Sequence, residues 1–250
     1  MKKVIITGAA KGLGFHLVLQ QLERGNLVFA LARNITQQLK NVSADNSNLV
    51  IIPADVALTE SVEAAYLKVR SYTEKIDVIF NNAGVYSHKS KVPVEETDFD
   101  EEASRTMNIN AFGAMRVIKA FYPMLSRGSV IINISSIAGS ISENEVRISE
   151  YAYCMSKAAL NLASRLLIND FSPKGIRVLC IHPGWMRTDM TRSPEQSTKE
   201  MIELFGLETI AKMQIDPGIS AANISSIVDD IDSIPKELMF IKHTREEIKW

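Results

Sequence analysis

Short, mostly apolar runs recur along the chain, and between them apolar positions fall three and four residues apart. Val4 to Ile6, Leu27 to Leu31, Leu49 to Ile52, Ile76 to Phe80, Val130 to Ile134 and Ile176 to Ile181 lack the in-and-out alternation of a half-exposed strand. Such runs predict strands buried on both faces. Phe15, Val18, Leu19 and Leu22 predict a first amphipathic helix, with Gly25 placed to end it. Thr59 or Ser61 is positioned to cap a helix reaching about Tyr72. Ala111, Ala114, Met115, Ile118, Phe121 and Leu125 mark a longer helix that Pro123 should kink or stop. A further helix covers Tyr151 to Phe171 and ends at Pro173-Lys174-Gly175. Asp216-Pro217 opens the next helix, and Met239-Phe240-Ile241 makes a last strand.

Strand and helix alternate throughout, which predicts an α/β fold of the Rossmann type: a doubly wound parallel sheet with helices on both faces. No internal repeat and no Pro/Gly/Ser linker divides residues 1–250, so one domain is expected. The stretch of about 188–215 is polar, helical and interrupted, and reads as an excursion over the sheet. Asp229, Asp230 and Asp232 read as a solvated helix end.

Composition narrows the partners. Apolar residues are 46% and charged residues 23%, which excludes disordered and fibrous classes. A net charge of -1 gives no general attraction to nucleic acid or to an anionic membrane, so neither is expected as a partner. No apolar stretch approaches the length of a membrane span, and Val4 to Ile6 is too short for a secretory signal core. A cytoplasmic protein is expected. Two cysteines do not make a disulfide scaffold, and Cys154 reads as an ordinary buried thiol. The four histidines are scattered, and no metal site is expected.

Between the first strand and first helix stands Thr7-Gly8-Ala9-Ala10-Lys11-Gly12-Leu13-Gly14. Glycines there let backbone approach a pyrophosphate, and the following helix N-terminus supplies N–H donors and a positive dipole. The alternative is a tight connection and nothing more. The end of the second strand carries Ala32-Arg33 where an acidic residue would bind the free 2′-hydroxyl of NAD. Arg33, with Lys11 as a second cation, suits a 2′-phosphate, so NADP(H) is favoured over a merely solvated Arg33. Asp55 and Val56 follow the third strand, where Asp55 either meets the adenine edge or caps a turn.

Of six tyrosines only Tyr153 has a lysine four residues on, Lys157, which places both on one helix face. A phenol titrates near pH 10 and is a usable acid at neutral pH; an adjacent ammonium stabilises its anion. Such a pair is also a common surface coincidence. Ser135-Ser136 ends the fifth strand, where open α/β sheets place ligands, or simply begins a loop. Asn110 is a poor helix former inside a predicted helix, and either packs there or holds a water.

Taken jointly, Thr7-Gly8-x-x-x-Gly12-x-Gly14, Asn81-Asn82-Ala83-Gly84, Asn110, Ser136, Tyr153-x-x-x-Lys157 and Pro183-Gly184-x-x-x-Thr188 resemble the short-chain dehydrogenase/reductase family. His182-Pro183-Gly184-Trp185 and Thr188-Asp189-Met190 are similar to its carbonyl-reductase branch, which includes sniffer and C-factor proteins. The resemblance implies an oxidoreductase with Tyr153 as catalytic acid/base and Lys157 lowering its pKa and holding the nicotinamide ribose. It implies that Ser136, preferred over Ser135 because Ile137-Ala138-Gly139 follows, orients the substrate carbonyl. Asn110 would hold a proton-relay water, Asn82 would brace the nicotinamide side, and Thr188 would reach the carboxamide. The implied cofactor set also includes Tyr153 and adds Gly8, Lys11, Gly12, Leu13, Gly14, Arg33, Asp55, Val56, Ala83, Gly84, Pro183, Gly184 and Met186. Helices around Asn110 and Tyr153 would form a homo-oligomer interface, dimeric or tetrameric.

Two departures bear on substrate. The Ile141–Glu150 connection is longer than usual and is placed to reshape the pocket entrance, and Phe240 to Thr244 lacks the glycine turn common in the branch. Tyr86, His88, the Ile141 segment, Trp185, Met186 and Met190 are the expected wall for an apolar carbonyl compound. The expected activity is NADPH-dependent reduction of a small aldehyde or ketone. Alcohol oxidation at the same site and NADP(H) binding without turnover are the alternatives.

Overall fold

Strands apolar on both faces are stable only between two covering layers. The computed structural model describes residues 1–86, 92–143, 149–190 and 206–250. Seven parallel strands form its sheet: β1 (Lys3–Thr7), β2 (Leu27–Ala32), β3 (Leu49–Pro53), β4 (Val78–Asn81), β5 (Val130–Ile134), β6 (Arg177–His182) and β7 (Phe240–Lys242). Their order is β3-β2-β1-β4-β5-β6-β7, with every pairing parallel.

The pleat sends alternate side chains to opposite layers. Val4 and Ile6 of β1 join a cluster with Phe15 and Val18 of α1 (Gly12–Glu23) and Ile224 and Ile227 of α8 (Pro217–Asp229). Ile5 turns the other way, toward Val62 and Val69 of α3 (Thr59–Arg70), Val117 and Phe121 of α5 (Gly113–Phe121) and Leu167 of α6 (Tyr151–Phe171). β1 lies between β2 and β4, so the chain winds outward from it in both directions. That reversal opens a crevice at the carboxyl ends of the strands.

The outline follows the hydrophobic pattern, with instructive differences. A helix over Gln37–Asp45, here α2, was not anticipated between β2 and β3. It buries only Leu39 and is started by Thr36, whose side chain accepts from Leu39 N, so it left almost no apolar stripe to read. Helix α3 begins after Leu58 with no side-chain cap; Ser61 Oγ instead accepts from Asp55 N at 2.9 Å. The long helix expected from Ala111 is broken into α4 (Ser104–Met107), a wider π-helical turn over Asn108–Phe112, and α5, which stops where Pro123 enters a 3₁₀ turn.

Part of the expected excursion, 191–205, lies outside the described residues. It returns through a short helix, α7 (Leu207–Met213). Ile215 then pairs beside Met186, with Arg187 N donating to Ile215 O at 3.0 Å and Ile215 N to Trp185 O at 2.9 Å. The described residues Trp185 to Arg187 and Ile215, on either side of 191–205, therefore meet at one place. The acidic run at the end of α8 is solvated but paired: Asp229 lies 2.8 Å from Arg24, and Asp230 lies 2.8 Å from Arg245. Among the described residues no helix is long and apolar enough to cross a membrane.

Candidate active site

The turn between β1 and α1 is laced to the end of β4. Thr7 Oγ1 accepts from Asn82 N and Ala83 N, both at 3.0 Å. Asn82 Nδ2 donates to Thr7 O at 2.9 Å and to Gly8 O at 3.2 Å. Asn82, expected to brace the nicotinamide side, thus directs its amide at the glycine turn. Gly14 makes the turn possible: a Cβ there would stand 2.2 Å from Gly8 O and 2.5 Å from Asn82 Nδ2. Lys11 precedes α1 in extended backbone and supplies no side-chain cap. The first-turn N–H groups of α1 are therefore left for another acceptor. Lys11 Nζ lies 2.8 Å from Asp189, both side chains being exposed.

A cleft of about 470 Å³ opens over this turn at the carboxyl ends of the strands. Its lining brings together Gly8, Lys11, Gly12, Leu13, Arg33, Asp55, Val56, Asn82, Ala83, Gly84, Ser136, Tyr153, Lys157, Pro183, Gly184, Met186 and Thr188. Arg33 stands at the far end, 3.8 Å from Asp55 Oδ2. The other oxygen of Asp55 accepts from Ala57 N at 2.9 Å, so Asp55 does cap a turn while it faces Arg33. Thr188 leans over the glycine turn, its Cγ2 3.3 Å from where a Gly12 Cβ would be. Gly14 and Asn110 support the cleft from behind rather than lining it: Gly14 packs on Gly8, and Asn110 Oδ1 lies 3.3 Å from a Cβ placed on Gly84.

Tyr153 and Lys157 share one face of α6, with Lys157 Nζ 5.8 Å from the Tyr153 ring centroid. Lys157 is buried and donates to Ile134 O at 2.8 Å. Burial pushes its ammonium down to about 8, so the charged form still predominates at neutral pH. Ser136 Oγ accepts from Ala138 N at 3.1 Å, which leaves its O–H proton to donate into the cleft. Ser135 is tied away: its hydroxyl donates to Asn161 Oδ1 at 2.5 Å, and Asn161 Nδ2 donates to Gly139 O at 3.1 Å. That bracing, with Gly139, holds the Ser136 turn against α6. A Cβ on Gly139 would lie 2.5 Å from the Lys157 carbonyl carbon and 2.8 Å from Ala158 N. Gly139→Ala should therefore push the turn off the helix. Overpacking of this kind costs roughly 1–3 kcal/mol, which in a chain of this size lowers the melting temperature by roughly 2–12 °C. A thermal melt followed by circular dichroism checks it, and an unchanged midpoint would show that the turn yields freely.

Asn110 occupies the π-helical turn, and such turns re-aim a side chain out of helical register. Its Oδ1 accepts from Val85 N at 2.7 Å, and its Nδ2 donates to Val85 O and to Ser156 Oγ, both at 2.9 Å. With both amide protons engaged, any water on this side chain has only Oδ1 left to approach. Ser156 in turn donates to Tyr153 O at 2.7 Å. Sequence alone did not single out Ser156 or Asn161, and it placed Thr7 in the glycine motif without a role for its hydroxyl. A hydroxyl three residues after Tyr153 was a usable signal for Ser156; nothing local marked Asn161.

Of the expected substrate wall, Met186 and Met190 line the cleft. Ile141 is 87% exposed and does not line the cleft; 144–148 of its segment and His88 lie outside the described residues. Trp185 and Tyr86 are not among the lining residues; Tyr86 stands edge-on to the Tyr153 ring. Cys154 is half-buried rather than buried. The buried thiol is Cys180, pushed up to about 12 by burial.

Sheet order, glycine turn and crevice define an α/β protein of the Rossmann type. A model of the short chain dehydrogenase family matches residues 2–199, and the chain belongs to that family of oxidoreductases. It is 32% identical over 239 residues to an uncharacterized oxidoreductase of Schizosaccharomyces pombe, covering 92% of this chain and 91% of that one. The carbonyl reductase Sniffer of D. melanogaster superimposes with a TM-score of 0.85 at 25% identity, over 100% of both chains. The NADPH-bound carbonyl reductase from chicken fatty liver does so with 0.83 at 25% identity, over 100% of this chain and 99% of that one.

Proposed function

We propose that this protein reduces a small aldehyde or ketone to the alcohol with NADPH, Tyr153 giving the proton. The observation that carries the reading is the convergence of Ser136, Tyr153 and Lys157 on one cleft whose floor is the glycine turn. A cleft at this position, with bare first-turn N–H groups and two cations at hand, fits a dinucleotide that carries a 2′-phosphate. The carbonyl reductase from chicken fatty liver is an NADPH complex, which supports the same choice.

The chemistry the cofactor supplies when bound is hydride. Ser136 donates its hydroxyl proton in a hydrogen bond to the carbonyl oxygen and fixes its direction. As negative charge grows on that oxygen, the Tyr153 hydroxyl transfers its proton to it. The Lys157 ammonium, held by Ile134 O, stabilises the phenolate left behind. Asn110 braces Val85 and, through Ser156, the backbone of Tyr153. Met186 and Met190 present polarizable apolar surface to the substrate. Met155, Leu162 and Leu166 are exposed along α6, which supports a homo-oligomer built on that helix.

The test is purified protein with NADPH and a panel of small aldehydes and ketones, followed by loss of NADPH absorbance. Turnover is expected. Tight NADPH binding with no turnover across the panel would replace this reading with that of a cofactor-binding protein.

Lys157 also sets the pH profile. Its buried ammonium titrates near 8 instead of 10.5. The ratio kcat/KM for carbonyl reduction should hold at neutral pH and fall above about pH 8, as the group that stabilises the phenolate loses its charge. Stability moves the other way. The folded state binds fewer protons than the unfolded chain between about 8 and 10.5, so the cost of the buried charge is present below that window and is relieved as pH rises through it. A pH–rate profile that stays flat to well above pH 8 would remove Lys157 from this role.

A further inference from the structure

The helix that carries Tyr153 starts against its own backbone preference. Ser149 and Glu150, the two residues before α6, both have left-handed backbone, with φ of 65° and 62°. Residues with a side chain hold that conformation when their surroundings impose it, and such positions gather at functional sites. Glu150 is the N-cap of α6, yet its carboxylate does not cap the helix. It is buried, 3% exposed, and accepts a hydrogen bond of 2.5 Å from the Tyr86 hydroxyl.

Tyr86 is held at both ends. Its ring stands edge-on to the Tyr153 ring, with centroids 5.1 Å apart and planes at 88°. The residue before it, Val85, is gripped through both backbone polar groups by Asn110. The contacts close into a loop, from Tyr153 through Ser156, Asn110 and Val85 to Tyr86, and back to Tyr153 directly and through Glu150. A phenol ring turns over a broad range about its last torsion, so backbone placement alone does not aim its hydroxyl. An edge-to-face neighbour restricts the swing.

We propose that Tyr86 and Glu150 are positioning residues for proton transfer: their hydrogen bond holds the Tyr86 ring against Tyr153 and so aims the Tyr153 hydroxyl at the substrate oxygen. The proposal rests on the reading of Tyr153 as proton donor. It accounts for why a buried carboxylate and two left-handed residues coincide at the start of the one helix that carries Tyr153 and Lys157.

The experiment compares Glu150→Gly, Glu150→Gln, Tyr86→Phe and the double variant Tyr86→Phe/Glu150→Gly. Glycine favours the left-handed backbone at position 150, which offsets part of the loss of the Tyr86 hydrogen bond, so Glu150→Gly should stay folded with only a modest fall in melting temperature. NADPH affinity and KM should stay near parental values while kcat falls by roughly tenfold or more. Glu150→Gln, whose amide oxygen still accepts from Tyr86, should recover most of the loss. Tyr86→Phe should lose about as much as Glu150→Gly, and the double variant no more than either single one. A parental kcat in Glu150→Gly, or two losses that multiply in the double variant, would overturn the proposal. A second readout needs no turnover: ring-labelled tyrosine NMR of the protein without cofactor or substrate, the Tyr153 signal being assigned by Tyr153→Phe. That signal should move in Glu150→Gly and return in Glu150→Gln; a signal unmoved in Glu150→Gly refutes the positioning role. Should the parent reduce no carbonyl, the proposed activity fails on its own account, and the NMR comparison still decides the role of the pair.

Discussion

With phenylalanine in place of Tyr153, carbonyl reduction is expected to slow by roughly 10²–10⁴-fold in kcat, the usual contribution of a placed general acid, or about 3–5 kcal/mol on the barrier. The change removes one oxygen and leaves the ring. The edge contact to Tyr86 and the position over Lys157 are contacts of the ring itself, so both survive. Helix α6 is held from below by Asn133 on Ser164 at 2.7 Å and by Asn161 on Gly139 at 3.1 Å, neither of which involves Tyr153. NADPH affinity, measured by fluorescence titration, should therefore match the parent. A variant that still turned over within about tenfold of the parent would mean that water or Ser136 delivers the proton, and the proposed mechanism would be wrong at its central step.

The second large effect is expected at Arg33. Arg33→Ser should raise KM for NADPH by roughly tenfold to a hundredfold, the equivalent of one lost charge-assisted contact of about 1.5–3 kcal/mol. KM for NADH should change little. The side chain is 56% exposed and stands 3.8 Å from Asp55, an ion pair too open to contribute much to folding. Removing it also leaves the Asp55 carboxylate facing the incoming phosphate, so repulsion adds to the lost attraction. Lys11→Ala should act in the same direction but less, because Lys11 is more exposed and already pairs with Asp189. The measurement is the ratio of kcat/KM for NADPH over NADH at low and high ionic strength. A ratio that Arg33→Ser leaves unchanged would remove the argument for NADP(H) over NAD(H).

Features that depend on near neighbours in the chain were legible before any coordinates. The sequence expects a helix over about Tyr151 to Phe171 that ends at Pro173-Lys174-Gly175, and α6 spans Tyr151–Phe171. The glycine turn was legible because backbone must pass where a side chain cannot. Gly14 leaves 2.2 Å to Gly8 O for a Cβ, and no other residue type serves there. The pair Tyr153 and Lys157 was legible because four residues is one helical turn. Helix α2 escaped because it shows the core a single side chain, Leu39, and one residue makes no period. The π-helical turn at Asn108–Phe112 escaped because it is imposed from outside, by the grip of Asn110 on Val85 and Ser156.

Local spacing alone thus determined the α/β alternation, the glycine turn and which tyrosine has a lysine beside it, because each is a relation among residues within a turn or two of chain. Tertiary structure alone decided that Asn82 props the glycine turn from β4, that Asn110 faces Val85, and that Tyr86 reaches a carboxylate 64 residues away. The spacing of apolar residues specifies which face an element buries. Which polar atoms then meet beneath that face depends on how the sheet orders its strands, and strand order is a property of the whole packed chain.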